Sequence, residues 1–341
     1  MLKPVVPWTT STSIAAGWCG ELLGARMLRR TIASVSLILL ASCVSVDNAV
    51  AQEKTPPKTE AAKVRPPYPI DPDAPLDAKV EVVNEADDHT RFRAEFNGIK
   101  KDRVPAYLYI PKRKPDAPPC PAVLLQYGSG GNKKSEYIVA IGKQFVARGF
   151  VVITIDSPGT GERRAKDKKS SDILGMIATE RMLHYCSDYS RAVDYLTTRK
   201  EVDKERIGYV GVSWGAITGI TYVAHDARIK AMGSMVGGGN FLGIYTPKTA
   251  EKALQDGVKT SDPVVHVARI APRPLLFINV TKDQLILKPW AESLHQCAGE
   301  NSKVVWLECD HFFKGVDRAE VCSSVVDFMA KSLPALRKKE H

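Results

Sequence analysis

The 341-residue chain has no C-x-x-C spacing and no visible internal repeat. The first absence leaves a zinc site without support. Five cysteines lie beyond residue 51: Cys120, Cys186, Cys297, Cys309 and Cys322. Their number is odd, so no pairing uses all of them, although an exported chain permits disulfides. Cys186 reads as a small buried residue of a helix and Cys309 as a strand-end residue. The apolar stretch from Thr31 to Val46 is too short, and too small in its side chains, for a membrane span. The formal charge is +10, yet no nucleic-acid motif accompanies it. The basic residues are scattered except at Arg163-Arg164-Ala165-Lys166-Asp167-Lys168-Lys169. That run reads as a solvated loop or as a contact for an acidic substrate or cell-wall polymer. Nucleic acid is not an expected partner.

What is present is ordinary for a globular protein: 44% hydrophobic and 25% charged residues. The length suits one large α/β domain with an N-terminal extension. Met27-Leu28-Arg29-Arg30 is a positive n-region, and Ala49-Val50-Ala51 before Gln52 has the small-residue pattern of a cleavage site. Residues 1–51 therefore read as a secretory signal region with Met27 as the natural start, predicting periplasmic or secreted export. Leu40-Ala41-Ser42-Cys43 offers a competing lipobox, which would anchor the chain to a membrane through Cys43. Residues 52–76 are rich in Pro, Lys, Ala and Asp and read as a flexible linker. Residues 77–335 are the expected catalytic domain, and 336–341 a basic tail.

The periodicity within that domain alternates strand and helix. Lys79 to Val83, Thr90 to Phe96 and Arg103 to Pro111 alternate as half-buried strands. Pro121–Gln126, Phe150–Ile155, Ile207–Val212, Ile229–Val236, Ala271–Val280 and Ser302–Leu307 read as buried parallel strands. Helices are predicted over Lys134–Arg148, Glu180–Thr198 and Val316–Leu333. The alternation implies a mostly parallel sheet with helices on both faces and an antiparallel N-terminal edge. Gly237 to Ser261 has weaker periodicity and reads as a short cap or loop, its Gly237-Gly238-Gly239-Asn240 start either flexible or a plain turn.

The chemistry gathers around Gly211-Val212-Ser213-Trp214-Gly215, a G-x-S-x-G pentapeptide at the end of an apolar run. A nucleophile elbow needs that context, because a strand must run into a tight turn and a helix must leave it at once. Asp283 follows the strand ending at Val280, and His311 follows the strand ending at Leu307. The order Ser, Asp, His is that of one known arrangement of the triad. Ser213 also reads as a turn serine, and Asp283 as a helix cap before Leu285-Ile286-Leu287. Asp310 is adjacent to His311, and adjacent side chains rarely point the same way. Of the other histidines, His89 falls in an early polar loop, His184, His225 and His295 in helical patterns, and His266 near a surface helix. His341 is the last residue. His311 alone follows a late strand.

With these motifs the chain resembles the α/β-hydrolase superfamily, and within it the dienelactone hydrolase and acetyl xylan esterase branch. The resemblance spans about residues 78–335. It rests on Val104-Pro105-Ala106-Tyr107-Leu108, Gln126-Tyr127-Gly128-Ser129-Gly130-Gly131-Asn132, Asp156-Ser157-Pro158-Gly159-Thr160-Gly161 and the three catalytic motifs. It implies an oxyanion hole from the backbone N–H groups of Trp214 and Ser129, and a structural role for Asp156. Tyr127-Gly128 stands where the family usually has His-Gly. Dienelactone hydrolases proper use a cysteine nucleophile, so Ser213 points to an esterase. The resemblance implies no metal or organic cofactor. It favours short-acyl esters of carbohydrates, with a general carboxylesterase, a peptidase-like hydrolase and a non-catalytic binding relic as alternatives. The propeller of prolyl oligopeptidases is absent.

Overall fold

The computed structural model describes residues 66–99, 102–164, 180–240 and 252–334. Nine strands form one sheet: β1 (Lys79–Glu85), β2 (His89–Asn97), β3 (Arg103–Pro111), β4 (Cys120–Gln126), β5 (Val151–Ile155), β6 (Val202–Val212), β7 (Ile229–Met235), β8 (Leu275–Val280) and β9 (Ser302–Leu307). Their order is β1-β2-β3-β5-β4-β6-β7-β8-β9. Pairing is antiparallel from β1 through β3 to β5, and parallel from β5 through β4 onward to β9. The signal, lipobox and tail readings lie outside the described residues.

Six helices are described: α1 (Glu136–Ala147), α2 (Glu180–Thr197), α3 (Trp214–Val223), α4 (Lys252–Ser261), α5 (Lys288–Cys297) and α6 (Arg318–Ser332). Alternate residues of the central strands feed two cores. Ala122 and Leu124 of β4, with Val151 and Ile153 of β5, pack under α2, α3 and α5. Val123, Leu125 and Val152 point the other way, under α1 and α6. Residues buried on both faces explain the unbroken apolar runs of these strands. Each fully buried Val, Leu or Ile contributes about 1.5–3 kcal/mol of transfer free energy.

The edges depart from expectation. Among the described residues, both β1 and β9 pair on one side only. All seven residues of β1 are exposed, where alternation predicted half burial. β9 is likewise exposed along Lys303–Val305, although its composition reads as a buried strand. An apolar run does not distinguish a central strand from an edge. Two starts also move. β6 begins at Val202, and β8 only at Leu275, because Pro272 and Pro274 have no N–H for the ladder. Tyr68 falls within the expected linker, yet its ring is buried and its hydroxyl donates to Tyr222 O at 3.1 Å. Ser187 Oγ and Arg191 then hold Pro69, Asp71 and Ala74 through their carbonyls. Gly237, Gly238 and Gly239 are buried rather than a loose hinge. A Cβ on Gly238 would meet Ile286 Cγ2 at 2.6 Å. The cap reading itself falls partly on residues 241–251, outside the described ones, and α4 occupies its second half.

Candidate active site

β6 ends in six buried residues and delivers Ser213 to the carboxyl edge of the sheet, where α3 starts at the next residue. Ser213 has φ 53° and ψ −115°, a left-handed-side conformation that a serine adopts only when its surroundings impose it. Two glycines make the turn possible. A Cβ at Gly211 would lie 2.3 Å from Gly215 O, and one at Gly215 would lie 2.7 Å from the carbonyl oxygens of Gln126 and Tyr127. Ser213 N–H donates to Met235 O at 2.8 Å, tying the elbow to the end of β7.

The structure brings Ser213, His311 and Asp283 into one hydrogen-bonded row. His311 Nε2 lies 3.0 Å from Ser213 Oγ, and His311 Nδ1 lies 2.7 Å from Asp283 Oδ2. Asp283 and His311 are buried. With a carboxylate against Nδ1, the proton belongs on that nitrogen and Nε2 is left to accept from the serine hydroxyl. The capping reading of Asp283 holds in altered form. Its other oxygen, Oδ1, accepts from Leu285 N and Ile286 N, both at 2.8 Å. These bonds close a turn, since α5 starts only at Lys288. They fix the carboxylate from the far side. Asp310 instead holds its own loop, with Oδ1 accepting from Phe312 N at 3.0 Å and Lys314 N at 2.9 Å.

The loop after β4 passes beside the nucleophile. A Cβ on Gly128 would lie 3.0 Å from Ser213 Cβ and 3.5 Å from Ser213 Oγ. Gly128 N–H is already engaged, donating to the Tyr137 hydroxyl at 2.8 Å. Among the described residues, neither Ser129 N–H nor Trp214 N–H donates to a protein acceptor. The Tyr127 hydroxyl accepts from Ser157 N–H at 2.8 Å and meets Thr160 Oγ1 at 2.5 Å. It therefore bridges the loops after β4 and β5, and burial pushes its ionisation well above the usual range. Asp156 is fully buried, accepts from Lys133 N at 3.0 Å and Glu162 N at 2.9 Å, and pairs with Lys133 Nζ. Its role is to brace these loops, as the resemblance implies.

The other described histidines are engaged elsewhere. His89 opens β2 and is buried, against the polar-loop expectation. His266 lies beside the partly exposed helix α4, as expected, with Nε2 2.8 Å from Thr260 O, but is itself buried, and its Nδ1 meets His225 Nε2 at 3.1 Å. His295 Nε2 meets Asn279 Oδ1 at 3.0 Å. Burial lowers His225 and His295 to about 4. His184 lies 3.5 Å from Asp102 and 3.7 Å from Asp188.

Asp102, His184 and Asp188 form the one group among the described residues with the ligand types and proximity to hold a metal ion. Arg163 reaches both carboxylates, so a cation of the chain's own already neutralises them. The first residue of the basic run is thus a largely covered ion-pair partner and not a solvated side chain. Residues 165–169 lie outside the described ones. The five described cysteines are free; Cys186 is buried as expected, and Cys309, two residues past the end of β9, is buried too. Sequence reasoning missed Lys133, Tyr137, Thr160 and Arg163. Their polar ends meet partners far away in the chain, and no local pattern carries that information.

The model of the family described as "Dienelactone hydrolase family" matches residues 104–319. YtaP of Bacillus subtilis (strain 168) is 33% identical over 151 residues, covering 40% of this chain and 48% of that protein. The chain spans about half or less of the length of the curated relatives it matches first. Among solved structures, the acetyl xylan esterase from Paenibacillus sp. R4 aligns with a TM-score of 0.65 at 17% identity, covering 76% of this chain and 90% of that one. A cold-adapted esterase from an Arctic intertidal metagenomic library aligns with a TM-score of 0.57 at 21% identity, covering 76% and 99%. At these identities the likeness is one of fold.

Proposed function

The chain belongs to the dienelactone hydrolase family, and from that premise we propose that it is a serine hydrolase of carboxylic esters. The observation that carries the reading is the unbroken row from Asp283 through His311 to Ser213. Ser213 Oγ attacks the ester carbonyl while His311 Nε2 takes its proton. The tetrahedral intermediate bears a negative oxygen, which the N–H groups of Trp214 and Ser129 stabilise. Fixed donors of this kind contribute about 3–4 kcal/mol each to lowering the barrier. His311 then gives the proton to the departing alcohol, leaving an acyl-serine. Water, deprotonated by the same imidazole, attacks the acyl carbon and releases the acid. Asp283 holds the productive tautomer and stabilises the imidazolium at each stage.

Short-acyl esters of carbohydrates are the proposed substrates. The fold likeness to proteins named as acetyl xylan esterases supports this. Export, with residues 1–51 as a signal region or Cys43 as a lipid anchor, is part of the same proposal. The test is labelling by a fluorophosphonate probe. Wild type should label, and Ser213→Ala and His311→Ala should not. Equal labelling of Ser213→Ala would overturn the assignment of the nucleophile.

A further inference from the structure

We propose that Phe312 forms the floor of a subsite for the alcohol half of the substrate, an alcohol presenting a flat apolar face. The inference rests on the serine-esterase reading. In that mechanism His311 Nε2 hands the proton to the leaving oxygen, so the alcohol departs on the imidazole side of the site. The ring of the very next residue lies against that imidazole. Phe312 packs edge-on against His311, with ring centroids 5.4 Å apart and planes at 82°.

Phe312 is nonetheless 66% exposed. Its loop is not loose. Phe312 N donates to Asp310 Oδ1 at 3.0 Å, its carbonyl accepts from Arg318 Nε at 3.1 Å, and Phe313 N donates to Asp310 O at 2.9 Å. The backbone thus holds an aromatic face toward solvent. A lone exposed apolar side chain is ordinary on a protein surface. Here three of them sit on the two loops that carry the His–Asp pair. Leu285 is 53% and Leu287 43% exposed, while Ile286 between them is buried. All three side chains are hydrocarbon, so they recognise apolar area and shape and offer hydroxyl groups nothing. A pyranose ring lying on its C–H face and an aryl ring both supply that chemistry.

The experiment uses three esters with the same acyl half: ethyl acetate, phenyl acetate and a mono-acetylated methyl xyloside. Values of kcat/KM are compared for wild type, Phe312→Ala and Phe312→Tyr. Phe312→Ala should lose roughly five- to tenfold on at least one ring-bearing ester while staying within about twofold of wild type on ethyl acetate. Phe312→Tyr, which keeps the ring, should retain wild-type values. Loss on phenyl acetate alone assigns an aryl alcohol, and loss on the xyloside alone assigns a sugar face. Equal loss on all three esters, or none on either ring-bearing one, overturns the subsite. Ethyl acetate turnover reports whether Phe312→Ala remains folded. Turnover surviving Ser213→Ala would strike at the esterase reading instead, so the two failures are separable.

Discussion

Asp283 divides its two oxygens between two tasks, and one substitution separates them. Oδ2 faces His311, while Oδ1 closes the turn over Leu285 and Ile286. In Asp283→Asn the amide oxygen can still close the turn, but the amide nitrogen offers His311 a donor where it needs an acceptor. The expected result is a fall in kcat of about 10⁴-fold with little change in Tm. Asp283→Ala should lose the same activity and also about 1 kcal/mol of stability, the usual value of a lost cap-type acceptor. Steady-state kinetics and urea denaturation on both variants measure the two effects independently. The placing of Asp283 next to His311 was legible in the sequence from its position after a strand. Its second bond was legible as a helix cap. That both are true of one carboxylate was not, because each local reading was complete by itself.

At the scale of elements, the strands that carry the site were readable because burial on both faces writes continuous apolar runs. The edges were not readable, since β9 has the composition of a central strand and only its place in the sheet exposes it. Links between elements were also hidden. Arg163, in the turn after β5, joins Asp102 before β3 to Asp188 in α2. Asp188 is wholly buried, and desolvation raises its carboxyl despite the nearby guanidinium. Removing Arg163 leaves that carboxylate buried without its main counter-charge, a change that destabilises by about 3–5 kcal/mol. Arg163→Met should show this in chemical denaturation. Adding Asp188→Leu to it should recover a substantial part, because the buried charge is then gone as well. A double variant no more stable than Arg163→Met would rule out the ion pair as the cause.

For the whole molecule, a few titrating groups shifted by the fold set the response to acid. His225 and His295 are neutral in the fold, with values lowered to about 4 from an ordinary 6.5 by burial. The unfolded chain takes up their protons first. Their contribution is complete above pH 6.5 and is lost as pH falls through about 4. Glu162 is lowered to about 2 by its hydrogen bond to Arg93 and by Lys133. Asp102 is lowered to about 2 by His184, with Arg163 adding to it. These carboxylates stabilise the fold above their unfolded values near 4 and lose that effect as pH falls toward 2. Tm should therefore decline in two stages, one between pH 6.5 and 4 and a second below. Calorimetry across that range checks it. His295→Gln should shrink the first stage and leave the second unchanged.

His311 and Ser213 stand on unequal footings. Ser213 leaves β6, which has a partner strand on each side, whereas His311 leaves β9, the last strand of the sheet. An outermost strand opens more readily than an inner one, and it can do so without the rest of the molecule unfolding. Warming would then swing the imidazole away from an elbow that is still intact. Activity should therefore fall below the main melting transition and return on cooling, a loss set by the fraying of one peripheral ribbon and not by the strength of the core.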